Sequence, residues 1–129
     1  MSDAALDSAD VRAWSLASGI ARVAIGVGML AAPEPALRLL GFAEVTPATA
    51  AVGRIAGIRD LVLGAVTLAG LEDRARLRAA TLANAAADAG DTVAFALALG
   101  DGERTAGARG LAAALPATVA GFWTAWRLS

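Results

Sequence analysis

Four stretches of about 20 predominantly apolar residues, 13–32, 49–70, 79–100 and 108–128, run through the chain, and ionisable residues stand well inside three of them. An α-helix rises about 1.5 Å per residue, so each stretch is long enough to cross roughly 30 Å of hydrocarbon. Breakers and charges separate them: Pro33-Glu34-Pro35 after the first, Glu72-Asp73-Arg74-Ala75-Arg76-Leu77-Arg78 after the second, and Gly100-Asp101-Gly102-Glu103-Arg104 after the third. Connections this short make sequence neighbours pack antiparallel. The expected fold is all-α, an antiparallel four-helix transmembrane bundle that takes up residues 1–129 as a single domain. Within the first connection, the stretch 36–42 is apolar with one arginine, Arg38, and suits a membrane interface.

Composition points the same way. Hydrophobic residues make up 57% of the 129, above the roughly 45–50% of an ordinary soluble domain, although much of the excess is alanine. The formal charge of −1 gives no long-range field for nucleic acid, so none is expected as a partner. Cysteine and histidine are both absent. That removes disulfides, thiolate and imidazole chemistry and the usual zinc, haem or iron–sulfur ligand sets, so no cofactor is expected and proton chemistry falls to carboxylates. Asp3, Asp7 and Asp10 precede Arg12, where a cleaved signal peptide would carry a basic region, so the first apolar segment is expected to stay.

Four crossings place both ends on one side. Trp14 opens the first segment and Trp123 and Trp126 close the last, as an aromatic belt at a shared interface would. Arg12, Arg74, Arg76, Arg78 and Arg127 fall on that side, and Arg38, Arg104 and Arg109 on the other. By the positive-inside rule, a multi-pass protein of the cell (inner) membrane with cytoplasmic termini is expected. The competing reading is a soluble alanine-rich bundle. Its best support is the second segment, where Arg54, Arg59 and Asp60 would each cost about 2.5–3.5 kcal/mol at a membrane centre. Against it, the first and last segments lack the continuous polar face of a water-facing helix.

At about 100° per residue the polar positions fall into stripes. Thr81, Asn84, Asp88 and Asp91 stack on one narrow face of the third segment, which therefore cannot look at lipid. Ser15, Gly19, Arg22 and Gly26 form a similar stripe in the first, with small residues letting another helix approach the arginine. Gly53, Gly57, Asp60 and Gly64 share a face of the second, with Arg54 and Arg59 to either side. Inside the spans, Arg22, Arg54 and Arg59 stand against Asp60, Asp88 and Asp91, so the interior can be neutral. Asp88 and Asp91 are expected to pair with Arg22 and with Arg54 or Arg59.

The run Gly53-Arg54-Ile55-Ala56-Gly57-Ile58-Arg59-Asp60-Leu61-Val62-Leu63-Gly64, preceded by the stretch 35–41 and followed by an aspartate in the third helix, resembles small bacterial DoxX-like membrane proteins and related uncharacterised four-helix families. The likeness spans most of the chain and is carried chiefly by its Gly-Ile-Arg-Asp core. It implies a four-helix membrane bundle and no particular activity. Small multidrug transporters and fluoride channels fit less well: the first has a glutamate where this chain has Arg22, and the second a third-helix signature that is missing.

Two functions compete. In the first, the chain is a non-enzymatic assembly partner or a small transport or binding module in the lipid bilayer, with homo-oligomerisation open. Its Arg–Asp core, Arg22, Arg54, Arg59, Asp60, Asn84, Asp88 and Asp91, then binds a polar or anionic small molecule or only sets helix register. In the second, the chain is an enzyme acting on a lipophilic substrate, epoxide hydrolase- or cyclase-like. Asp88 or Asp91 would be its general acid/base, Asn84 would orient water, and an arginine would stabilise negative charge. The enzyme reading requires an interior pocket of several hundred Å³ with both carboxylates on its wall. A hard cation on Asp88, Asp91 and Asn84 ranks below both, because the arginines would repel it, and no metal is expected. The charges at 72–78 are expected to form a solvated turn, and Pro116 and Gly121 to mark a kink and close packing.

Overall fold

A computed structural model describes the backbone of residues 3–129 and the side chains from Ala9 onward. Asp3 and Asp7, named above as part of the acidic start, lie outside the described side chains. The described chain is all-α: α1 (Asp3–Ala31), α2 (Pro33–Leu40), α3 (Pro47–Ala69), α4 (Arg74–Gly100) and α5 (Arg104–Arg127).

Local chemistry sets these boundaries. Pro33 and Pro35 end α1 and begin α2, since proline fits a first helical turn but offers no N–H to continue one. Gly41, at φ 108°, closes α2 in the left-handed conformation that spares only glycine, with its N–H and that of Phe42 returning to the carbonyls of 37 and 38. Thr46 caps α3 by accepting from the Thr49 N–H, and Asp73 caps α4 by accepting from the Arg76 N–H.

That second cap corrects the reading of 72–78 as a solvated turn. Asp73 starts the helix, and Arg74, Arg76 and Arg78 lie in its first turns. Arg74 spans to the far end of the chain, donating to the carbonyls of Arg127, Leu128 and Ser129 and so serving the open carbonyls at the end of α5. The helices also start earlier than apolar content alone implied: α4 at 74 instead of 79, and α5 at 104 instead of 108. Pro116 lies inside α5, which continues through it as one helix.

The four long helices form two intimate antiparallel pairs, α1 with α3 and α4 with α5. Glycine sets both. A Cβ on Gly26 would lie 2.7 Å from the Gly57 carbonyl oxygen, and one on Gly64 would lie 2.7 Å from the Gly19 oxygen. Backbones therefore touch where the small residues of α1 face those of α3. On the other pair, Gly110 lies beneath the Phe95 ring, Gly107 against Leu99, and Gly121 against Ala85. Numbers rise along one helix as they fall along its partner, which fixes the antiparallel sense. α2 lies across one end, touching α1, α3 and α5, with Leu37 buried over Gly53 and the Leu39 carbonyl receiving Arg109. A small apolar cluster of Val11, Leu77 and Leu128, with Leu71 against it, closes the opposite end.

Between the pairs, direct helix contact is sparse, with α3 and α4 touching far less than the partners within each pair. Polar side chains span the gap instead.

Candidate functional site

The stripes of α1, α3 and α4 converge on five ionic groups arranged in alternating order: Asp88, Arg22, Asp60, Arg59, Asp91. Arg22 on α1 donates from Nη2 to Asp88 on α4 at 2.5 Å and from Nη1 to Asp60 on α3 at 3.0 Å. Arg59 donates to both oxygens of Asp91, each at 2.7 Å, and from Nη2 to Asp60 at 3.2 Å. Asp60 thus shares Oδ1 between two guanidinium groups. The Arg22, Asp60 and Asp88 side chains are only 10%, 13% and 11% exposed, whereas Arg59 and Asp91 emerge to 36% and 30% on the flank. Alternation of sign is what makes burial tolerable, because each charge is paired and hydrogen-bonded.

Of the two arginines left open by the sequence, Arg59 joins the network. Arg54 does not. It lies exposed on the outer side of α3 and makes no ion pair among the described residues. By helical phase the two arginines leave the glycine face of α3 on opposite sides, and it is the side of Arg59 that meets Asp91 on α4. Counted as formal charges, the interior is therefore not neutral. Two arginines meet three aspartates, leaving one negative charge in excess.

Beside the network, toward the end that holds the chain's terminus, lies a cavity of about 50 Å³ that all four long helices line. Ser15, Ser18 and Arg22 come from α1, Thr67 from α3, Thr81, Asn84 and Asp88 from α4, and Thr124 from α5. Asn84 donates from Nδ2 to Thr67 Oγ1 at 2.8 Å, and its Oδ1 is buried with no partner. The hydroxyls of Ser15, Thr67, Thr81 and Thr124 each donate to the carbonyl four residues earlier in their own helix, at 2.8 Å. Their hydrogens are spent, and what they offer the cavity is lone pairs.

Ser18, Thr67 and Thr124 were not singled out by the sequence reading. Thr67 was within reach, since it extends the face of Gly53, Gly57, Asp60 and Gly64 by three residues. Thr124 continues the Gly121 face of α5 in the same way. Asp91, by contrast, is absent from the cavity wall.

This geometry is a poor match to the enzyme reading. A pocket for a lipophilic substrate takes several hundred Å³, with both carboxylates exposed to it. Here Asp88 and Asn84 reach a space of about 50 Å³, and Asp91 is held by Arg59 on the flank.

No family model matches this chain, and no curated protein or solved structure does.

Proposed function

We propose that this chain is a small multi-pass membrane protein in which α1, α3, α4 and α5 form a transmembrane four-helix bundle around a polar binding interior. The observation that carries the reading is an inverted distribution of polarity. Residues facing outward include Ile20, Ile25, Val27, Val52, Ile55, Ile58, Val62, Val66, Val93, Leu97, Leu115, Val119 and Phe122, each at least 48% exposed. Residues facing inward include Ser15, Arg22, Thr67, Thr81, Asn84, Asp88 and Thr124, each at most 8% exposed. Water favours the opposite arrangement, and an apolar surface this extensive calls for a partner that hydrocarbon supplies.

Trp14, Trp123 and Trp126 ring one end of the apolar belt. Charged groups gather at both ends, with Arg12, Glu72, Arg74, Arg76 and Arg78 at one and Glu34, Arg38, Asp101, Glu103 and Arg109 at the other. Helix by helix, only Ala9–Ala31 is long and apolar enough to cross a membrane among the described residues. A segment-wise sum charges α3 and α4 for Arg59, Asp60, Asn84, Asp88 and Asp91 as though these faced lipid, and in the folded chain they face one another. The five-to-three arginine bias supports cytoplasmic termini. The resemblance to DoxX-like proteins belongs to this proposal, and it rests on Gly53, Gly57, Arg59, Asp60 and Gly64, each of which has a packing or ionic role here.

The test uses the absence of cysteine. Single cysteines at Val62, Val119, Arg76 and Glu103 in the full chain are exposed to a membrane-impermeant maleimide in intact and opened cells, after carbonate extraction of membranes. Retention in the pellet, protection at Val62 and Val119, and labelling of Arg76→Cys and Glu103→Cys from opposite sides are expected. Release into the carbonate supernatant, or labelling at all four positions from one side, would reject the proposal.

A further inference from the structure

The cavity beside Asp88 has an unusual donor–acceptor balance. Four of its five hydroxyls have given their hydrogens to helix carbonyls, so Ser15, Thr81 and Thr124 on its wall have only lone pairs left to offer, and Thr67 accepts from Asn84. Asn84 is 6% exposed, and its carbonyl oxygen lacks any donor. A buried amide oxygen without a donor is costly, and a ligand bringing positive charge or hydrogens would relieve it. The cation on the wall, Arg22, directs Nη1 to Asp60 and Nη2 to Asp88. The network it belongs to carries one negative charge beyond its arginines.

We infer that this cavity is a binding site for a small monovalent cation, held by the Asn84 carbonyl, the Asp88 carboxylate and the hydroxyl oxygens of Ser15, Thr81 and Thr124. The inference deepens the binding-module reading above and rests on it. Three features select the ligand. The wall is weighted toward acceptors, which suits a metal ion or an ammonium and disfavours an anion. One unit of positive charge balances the network, and a single carboxylate on the wall is too few for a divalent ion that sheds its water reluctantly. A cavity of about 50 Å³ has room for about three water-sized bodies, enough for sodium, potassium or ammonium with residual water and too little for a bulky quaternary amine. Arg22 stands between Asp88 and Asp60, whose two carboxylates outweigh its single positive charge.

The experiment is a thermal-melt titration of the purified full chain, read by tryptophan fluorescence. Sodium, potassium, ammonium and choline chlorides are compared at constant ionic strength. At least one of the three small cations is expected to raise the Tm saturably by several degrees over choline, as binding to the folded state alone requires. Thr81→Val with Thr124→Val, which keeps the side-chain shape and removes two oxygen ligands, is expected to raise the half-saturating concentration tenfold or more. Asn84→Leu is expected to abolish the response, and if that variant fails to fold, the threonine pair carries the test.

Equal melting in all four salts would overturn the inference and leave the cavity to water. So would an unchanged titration in the threonine variant, or a response that follows the anion when chloride is replaced by gluconate. Carbonate extraction reports separately on the bilayer, so the cation site and the membrane reading can fail independently.

Discussion

Asn84 on α4 donates to Thr67 Oγ1 on α3 across 2.8 Å, and Thr67 passes its own hydrogen to the Leu63 carbonyl. The direction of the bond is therefore settled by the helix behind it, with Thr67 obliged to accept. This is one of the few direct links between the two helix pairs.

A double-mutant cycle measures it. Thr67→Val leaves the Asn84 amide without an acceptor and is expected to cost about 1–3 kcal/mol, with a coupling to Asn84→Leu of about 0.5–1.5 kcal/mol. Chemical unfolding in detergent reads both values. Strict additivity of the two substitutions would mean that the bond does not join the pairs.

The ionic chain should show a gradient of sensitivity from its buried to its exposed end. Asp88→Asn takes from Arg22 one of its two carboxylate partners, with Asp60 still bound, and is expected to destabilise by about 1.5–3 kcal/mol. Asp91→Asn acts at a pair that is about a third exposed, where solvent screens the charge, and is expected to cost about 1 kcal/mol. Arg54→Gln, on the outer face, should stay within about 0.5 kcal/mol of the parent chain. Thermal melts of the three variants check the order, and a loss at Arg54 equal to that at Asp88 would contradict the network described above.

Glycines of one sequence should behave in opposite ways. Gly57→Leu drives a side chain into Met29 and the Gly26 carbonyl, 2.7 and 2.9 Å from its Cβ, and is expected to separate α1 from α3. Gly28→Ala and Gly90→Ala meet nothing within 4 Å and are expected to gain about 0.5–1 kcal/mol through helix propensity. Melting temperatures of the three, measured side by side, separate packing glycines from idle ones.

Much of this organisation was legible along the chain. Helical phase alone put Arg22 among small residues, aligned Thr81, Asn84, Asp88 and Asp91, and set Asp60 on a glycine face. Boundaries were less legible, because hydropathy marks apolar length while helices begin at caps. Asp73 starts α4 five residues before the apolar run does, with three arginines in its opening turns. Thr67 and Thr124 are harder to read because each hydroxyl bonds to its own helix and stands for a small apolar residue until the opposite helix is in place.

The ordering of residues around each helix is a property of the sequence by itself, since a repeat of about 3.6 residues follows from backbone geometry and needs no partner. Which helices pair, and which of Arg54 and Arg59 turns inward, depended on the fold. Pairing is decided where glycines let two backbones touch, and the rotation of α3 in that contact carries Arg59 to Asp91 and Arg54 to the outside. The charge excess of the interior followed from that rotation. A sequence can be counted as balanced, with three arginines against three aspartates, while its folded interior is one cation short.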